Sequence, residues 1–440
     1  MGWRNQQNAQ RLRRAASRRS SRSPRRLFIP HKWFLGAAHR EDVHTVKTSS
    51  LTAAAPEELG LSATRLARLG EVMRRESERG RVPGAVALVA RRGRIGYFEA
   101  FGRRDPVNGG PMARDTIFRI YSMTKPIVSV AAMMLWEEGY FLLNDPVSKY
   151  LPELADLKVA VTRGEGIELV PAEREITIQD LLRHTSGLTY EYLGTGPVHQ
   201  MYMATKIYSL KMSSAEQVTR LGQLPLLHQP ATRWEYGRST DVVGRLIEVL
   251  SGSKLSVYLD RHVLGPLGMI DTAFHVPQQH HSRLAEAFSK DPDSGAAVAL
   301  TDVRAPPNFE SGGGGLVSTA GDYARFLQML LNDGTLDGVR LLGRKTIEYM
   351  TSDHLGPITG APDLLVPGYG FGLGFAVRLH AGIARVPGSI GQYYWNGLAG
   401  TTFWVDPAEK LFAILLIQAP GQRRYYGTLF RDMVYAAISD

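Results

Sequence analysis

The sequence predicts an α/β chain of the α+β kind, with one antiparallel sheet built from both chain ends, flanked by helices, and a mainly helical lobe inserted between its halves. Three observations carry this prediction. Apolar, strand-like runs stand early, in GAVALVARRGRIGYFEAF from Gly84 to Phe101, and late, in YGFGLGFAVRL, GTTFWVDP and KLFAILLIQ after about residue 366. The stretch between them, about 122 to 333, has helical periodicity and long loops. Strands at both ends need each other as neighbours, so the ends meet in one sheet and the helical lobe packs on it. The boundaries that follow are an arm at 1–55 and a folded domain at 56–440, with a sheet lobe at about 56–121 and 334–440 and a helical lobe at about 122–333.

From Pro56 onward, Leu61 to Gly80 reads as an amphipathic helix, with Ser62 able to cap its start and Gly80 to stop it. The run from Gly84 to Phe101 is two apolar strands joined by a tight Arg-Gly turn, hence a hairpin. In the middle of the chain Gln179 to His184, Thr240 to Leu250 and Ala320 to Leu331 are the clearest helices. Glycines at 368, 370, 372 and 374 alternate with period two, which predicts a strand with one face kept clear for a neighbouring element. A last helix is expected near Gly427 to Ile438.

The formal net charge of +10 invites a nucleic-acid reading until it is located along the chain. Residues 1–50 hold twelve Lys/Arg and two acids, which leaves forty of each sign in the rest, so no nucleic acid is expected on the folded domain. The arm is rich in Arg and Ser and has no acid before Glu41; it reads as a disordered tail, with a transit peptide, upstream sequence from a misassigned start, or an export signal at Arg25 and Arg26 as the alternatives. A cytoplasmic protein is therefore expected, exported or organellar if the arm is a targeting segment. No run approaches the ~18 apolar residues of a membrane span. The absence of cysteine removes disulfides, thiolate metal sites and a thiol nucleophile together.

Chemistry begins in IFRIYSMTKPIVSVAAMMLWEEG, where Ser122 and Lys125 form an SxxK pair at the mouth of an apolar helix. Positions i and i+3 share a helix face, so the amine can approach the serine oxygen. Pro126 has no amide hydrogen and is tolerated only in a first turn, so the helix should begin near Ser122, with free amides and the positive dipole end around its oxygen. A lysine desolvated there would lose its proton more readily and act as a base. The bland alternative is a serine that caps a buried helix beside a solvent-facing lysine, and Ser251 to Lys254 shows how freely the pattern recurs.

Two further stretches supply partners. ATRWEYGRSTDVVGRLIEVLSG places Tyr236 just ahead of a helix that Ser239 can cap, where its hydroxyl can work as a phenolate or as a neutral relay. IGQYYWNGLAGTTFWVDP places Trp395, Asn396 and Gly397 before a strand, where the amide of Leu398 could join that of Ser122 in holding an oxyanion. Taken singly, each has a plain packing explanation.

In order, SMTK, YGRSTD and WNG resemble the three signature elements of class C β-lactamases and the related family VIII carboxylesterases, and the likeness continues through LLRHTSGLTY, SGGGGLVSTAGDYARFLQML and GTTFWVDP. It covers about 56–440. The resemblance implies the β-lactamase/DD-peptidase-like fold, with Ser122 acylated, Lys125 its neighbour, Tyr236 the acid/base partner, and Ser122 with Leu398 the oxyanion donors. Two departures bear on substrate. Trp395 stands where the β-lactamases carry the lysine of Lys-Thr-Gly, and Arg238 where they carry an asparagine. Losing both contacts should weaken β-lactam recognition, while Trp395, Asn396 and Gly397 line a site for a small-molecule, short-acyl ester.

No metal and no cofactor is expected. His280 and His281 lack ligand spacing, Gly312 to Gly315 lacks the Lys-Ser/Thr of a phosphate loop, and no GxSxG is present. His184 reads as structural. The expected reaction is two-step acyl transfer by a serine carboxylesterase, with weak β-lactam opening as a side activity. The rivals are a β-lactamase or D-amino-acid peptidase of the same fold, an acyltransferase, and a non-catalytic ligand sensor. Oligomeric state is not legible.

Overall fold

The computed structural model describes residues 51–440 other than 165 and 362. The basic arm up to residue 50, with its targeting alternatives, lies outside the described residues. Leu51 to Ala55, counted with the arm from the sequence, is tied to the sheet: Ala54 N donates to Ile95 O and Ile95 N to Thr52 O, at 3.0 and 2.9 Å.

Among the described residues fourteen strands occur in chain order. The first nine are β1 (Gly84–Arg91), β2 (Arg94–Asp105), β3 (Gly109–Pro111), β4 (Phe118–Arg119), β5 (Lys158–Arg163), β6 (Gly166–Pro171), β7 (Val317–Ser318), β8 (Thr335–Leu336) and β9 (Val339–Arg340). The rest are β10 (Tyr369–Phe371), β11 (Ala376–Arg378), β12 (Tyr393–Asn396), β13 (Thr402–Asp406) and β14 (Leu411–Ile417). Eight of them form one antiparallel sheet in the order β10-β11-β12-β13-β14-β1-β2-β3, so both chain ends do build it. Next to its middle, β14 pairs with β1, in register from Ala85 opposite Ile417 to Arg91 opposite Leu411.

GAVALVAR and LFAILLI are apolar without alternation because both of their faces are covered, and every residue of the two strands is buried. The cover comes from helices Ala63–Glu78 and Arg423–Ala436, which pack on each other, and from helix Ala320–Leu331. Ser62 caps the first of these as its sequence predicts, accepting from Arg65 N at 3.4 Å. The last begins at Arg423 and not near Gly427, because the turn Pro420–Gln422 delivers the chain into helical geometry earlier. Buried Arg91 fastens the chain end through Glu409 and Asp440 at 2.8 and 2.6 Å.

The alternating glycines do not make one strand. Tyr369–Phe371 and Ala376–Arg378 pair antiparallel with each other, and the chain reverses between them. Gly374 takes the left-handed conformation at φ 103°, and a β-carbon there would lie 2.5 Å from Ser129 Oγ, so this turn sits directly on the helix that follows Ser122. The expected close approach is therefore real, but a hairpin makes it.

Thr124–Glu137 is buried almost all round and packs against Ser239–Ser251. A helix without a polar face must be enclosed by its neighbours on every side. The short ladder of β4 with β7 joins the segment before Ser122 to the one after the glycine run, which brings two remote stretches to one place. Among the described residues no helix is long and apolar enough to cross a membrane.

Candidate active site

Ser122 sits in a tight turn, Tyr121–Met123, that leads directly into helix Thr124–Glu137. Tyr121 adopts φ 43°, a conformation costing a side-chain-bearing residue about 1 kcal/mol or more. Neighbours hold it there. The Tyr121 hydroxyl accepts from Thr301 N at 3.0 Å, Thr124 Oγ1 accepts from Leu316 N at 3.1 Å, and the Tyr323 hydroxyl donates to Met123 O at 2.9 Å. Pro126 falls in the first turn, as its missing amide requires.

Lys125 is 1% exposed, so the solvent-facing alternative does not hold. Its Nζ lies 3.3 Å from Ser122 Oγ, 3.0 Å from the Tyr190 hydroxyl and 2.6 Å from Gly313 O. Burial pulls this ammonium down to about 7, with Asp241 opposing and Arg238 assisting. A neutral amine has two hydrogens; the Gly313 carbonyl can only accept and takes one, and the Tyr190 oxygen is placed for the other. The lone pair then faces the serine hydroxyl. Glycine at 313 leaves room for this, since a β-carbon would crowd both Asp241 Oδ1 and the Tyr190 hydroxyl at 3.0 Å.

The Tyr236 ring centroid is 4.5 Å from Lys125 Nζ, and the Trp395 indole N–H donates to the Tyr236 hydroxyl at 3.2 Å. Burial pushes the Tyr236 phenol well up, and hydrogen bonds with Ser122 and Trp395 counter this only in part. Ser122, Lys125, Tyr236 and Trp395 are thus brought together. Ser239 does not cap its helix as expected. Arg238 occupies that position, and the Ser239 hydroxyl, already inside the first turn, pairs with Ser186 Oγ at 2.8 Å.

The WNG segment reaches the same turn. At Gly397 a β-carbon would lie 2.5 Å from Ile120 O, and Thr401 Oγ1 donates to that carbonyl at 3.2 Å. Leu398 follows with a side chain 45% exposed. Asn396 points the other way from Trp395, as alternation along β12 demands, and its Oδ1 accepts from Thr402 on β13. His184, buried and at φ 59°, packs its ring 4.9 Å from that of Tyr236 while its backbone oxygen accepts from Glu235 N at 2.8 Å. It supports the tyrosine loop, and burial keeps it uncharged.

Tyr190, Asp241 and the true setting of Arg238 were not singled out by chemistry in the sequence. Tyr190 stands 65 residues from Lys125, and no spacing rule marks it. Asp241 ends YGRSTD and accepts from Ser311 Oγ and Gly313 N at 2.6 and 2.9 Å, which fixes the carbonyl that Lys125 meets. Arg238 is buried between Glu191 and Asp241. Among the described residues no cluster of His, Cys, Asp or Glu is arranged to hold a metal ion.

A family model described as Beta-lactamase matches residues 69–435. The chain belongs to the beta-lactamase family. Within this family, Protein Rv1367c of Mycobacterium tuberculosis is 38% identical, covering 79% of this chain and 88% of its own. Esterase EstB of Burkholderia gladioli is 33% identical over 87% of this chain and 98% of its own. Among solved structures, EstCE1, a hydrolase with promiscuous acyltransferase activity, superposes with a TM-score of 0.72 at 27% identity, over 84% of this chain and 99% of that one. The β-lactamase/DD-peptidase-like fold expected from the sequence is therefore the fold of this beta-lactamase family chain.

Proposed function

We propose that the chain is a serine carboxylesterase that acts on small-molecule, short-acyl esters through an acyl-enzyme on Ser122. The observation that carries this is the Lys125 amine, buried, brought down to about 7 and 3.3 Å from the serine oxygen. Neutral Lys125 takes the Ser122 proton as the oxygen adds to the ester carbonyl. Tyr236 stays a neutral phenol; its oxygen already accepts from Trp395, so its own hydrogen is available to the departing alkoxide. The alkoxide leaves as alcohol, and Lys125 returns a proton to the tyrosine side of the site. Water, deprotonated by the same groups, then releases the acid and restores Ser122. Backbone amides of Ser122 and Leu398 would hold the oxyanion. The likeness to Esterase EstB supports the ester as substrate.

Parallel assays on a p-nitrophenyl ester, a chromogenic cephalosporin and a D-Ala-D-Ala peptide test the choice. The ester is expected to turn over fastest by at least about tenfold, since Trp395 replaces a carboxylate-binding cation; preferred cleavage of the cephalosporin or peptide would overturn it. The promiscuous acyltransferase activity of EstCE1 favours one second reading, transfer of the acyl group to an alcohol. Ester exchange in added alcohol tests it.

Two further outcomes are expected. kcat/KM should rise with pH through about 7, because the base works only after losing its proton, and a flat profile between pH 6 and 8 would contradict Lys125 in that role. Trp395→Phe keeps the apolar wall and removes the donor to Tyr236. It should lower kcat about tenfold with little change in KM, a split read from steady-state kinetics.

A further inference from the structure

Arg238, which stands where the resemblance places an asparagine, is buried among partners of its own. Its Nη2 pairs with Glu191, its Nη1 lies 3.3 Å from Asp241 Oδ2, and its guanidinium lies 4.7 Å from the Tyr190 ring centroid and 5.1 Å from that of Tyr208. Lys125 Nζ lies against the same Tyr190 ring at 5.3 Å and bonds its hydroxyl at 3.0 Å. One phenol ring thus has two basic groups against it. Only one of them can give up its proton, because a guanidinium stays charged at any pH the fold survives.

The surroundings of Lys125 sharpen this. Its hydrogen-bond partners are a hydroxyl, a phenol and a carbonyl, with no carboxylate among them. From the loop after helix Ile178–Leu182 it is faced by His184 and Tyr190, from the start of helix Ser239–Ser251 by Tyr236 and Asp241, and from the glycine run by the Gly313 carbonyl. The histidine and the phenols are uncharged there through burial. Asp241 carries the charge that would draw a proton onto the lysine; Arg238 carries the charge that opposes it, and it also neutralises Glu191.

We propose that Arg238 is a positioning residue for acyl transfer: its fixed charge, locked between Glu191 and Asp241 against Tyr190, keeps Lys125 in its proton-accepting form at neutral pH. This rests on the esterase reading above. It also gives the departure at position 238 a role other than the loss of a substrate contact.

The test is the rate at which a p-nitrophenyl phosphonate labels Ser122, followed by intact-protein mass from about pH 5 to 10, in wild type, R238Q, R238K and E191Q. Wild-type labelling should rise through about pH 7. In R238Q the rise should move up by about one pH unit or more, so that labelling falls about tenfold at pH 7 and recovers at pH 9. R238K, which keeps the charge, should restore the wild-type position. A merely structural role predicts instead slower labelling at every pH with the rise unmoved, which overturns the proposal. If R238Q does not fold, E191Q decides: it keeps the guanidinium and removes a carboxylate, so the rise should move down, and an unmoved or raised position overturns the inference. Failure of wild type to label at Ser122 is a separate result, which overturns the esterase reading itself.

Discussion

Replacing Ser122 by alanine is expected to reduce turnover of a p-nitrophenyl acetate-type ester by about 10⁵-fold or more, to the level of the uncatalysed reaction plus whatever binding alone supplies. No other hydroxyl in the cluster takes its place. Tyr190 and Tyr236 are phenols that burial holds protonated, and each already has a partner in Lys125 or Trp395. The fold should be indifferent to the change. The Ser122 side chain is only half-buried, and the turn is kept by Tyr121, Thr124 and Tyr323, so the shift in stability should stay within about 0.5 kcal/mol. Residual activity above a few per cent in a variant with an unchanged melting temperature would end the assignment.

Lys125→Met should separate function from stability. Activity is expected to fall about 10²- to 10⁴-fold, the range of a positioned base. Stability is expected to rise. In the unfolded chain the lysine holds its proton up to its ordinary value of 10.5, whereas in the folded chain burial brings it down to about 7. Below pH 7 both states are charged and the folded state bears the whole cost of a desolvated cation; between 7 and 10.5 the unfolded state alone is protonated and stability climbs with pH. The gain from methionine should therefore be largest at or below pH 7 and shrink toward pH 10, offset by about 1 kcal/mol for the Gly313 carbonyl left without its donor. Melts at about pH 6 and pH 9 check the sign: a variant less stable than wild type at pH 6 would show that the cation is not penalised there.

Much of this is legible in the chain itself, for identifiable reasons. The SxxK pair could be read because helix geometry places i and i+3 on one face, and the start of the helix because Pro126 admits only one place. The central strands could be read because GAVALVAR and LFAILLI tolerate no exposed side. Tyr190, Asp241 and the buried state of Arg238 could not, since each acts across a long sequence separation and none carries a local pattern. The glycine hairpin at 368–374 shows a different limit. Period two is shared by a strand and by two short strands that reverse, and the choice was made by the helix against which Gly374 rests.

Pairing β1 with β14 joins residues more than three hundred positions apart, so the middle of the sheet stays unformed until almost the whole polypeptide has left the ribosome. During synthesis, GAVALVAR has no partner on one side and exposes an edge that is apolar up to Arg91, a liability that calls for chaperone cover. On the proposed mechanism the same wiring delays chemistry: Trp395 and Leu398 arrive with the final strands, so a nascent chain that already carries Ser122 and Lys125 lacks the donor to Tyr236 and the second oxyanion amide until those strands dock.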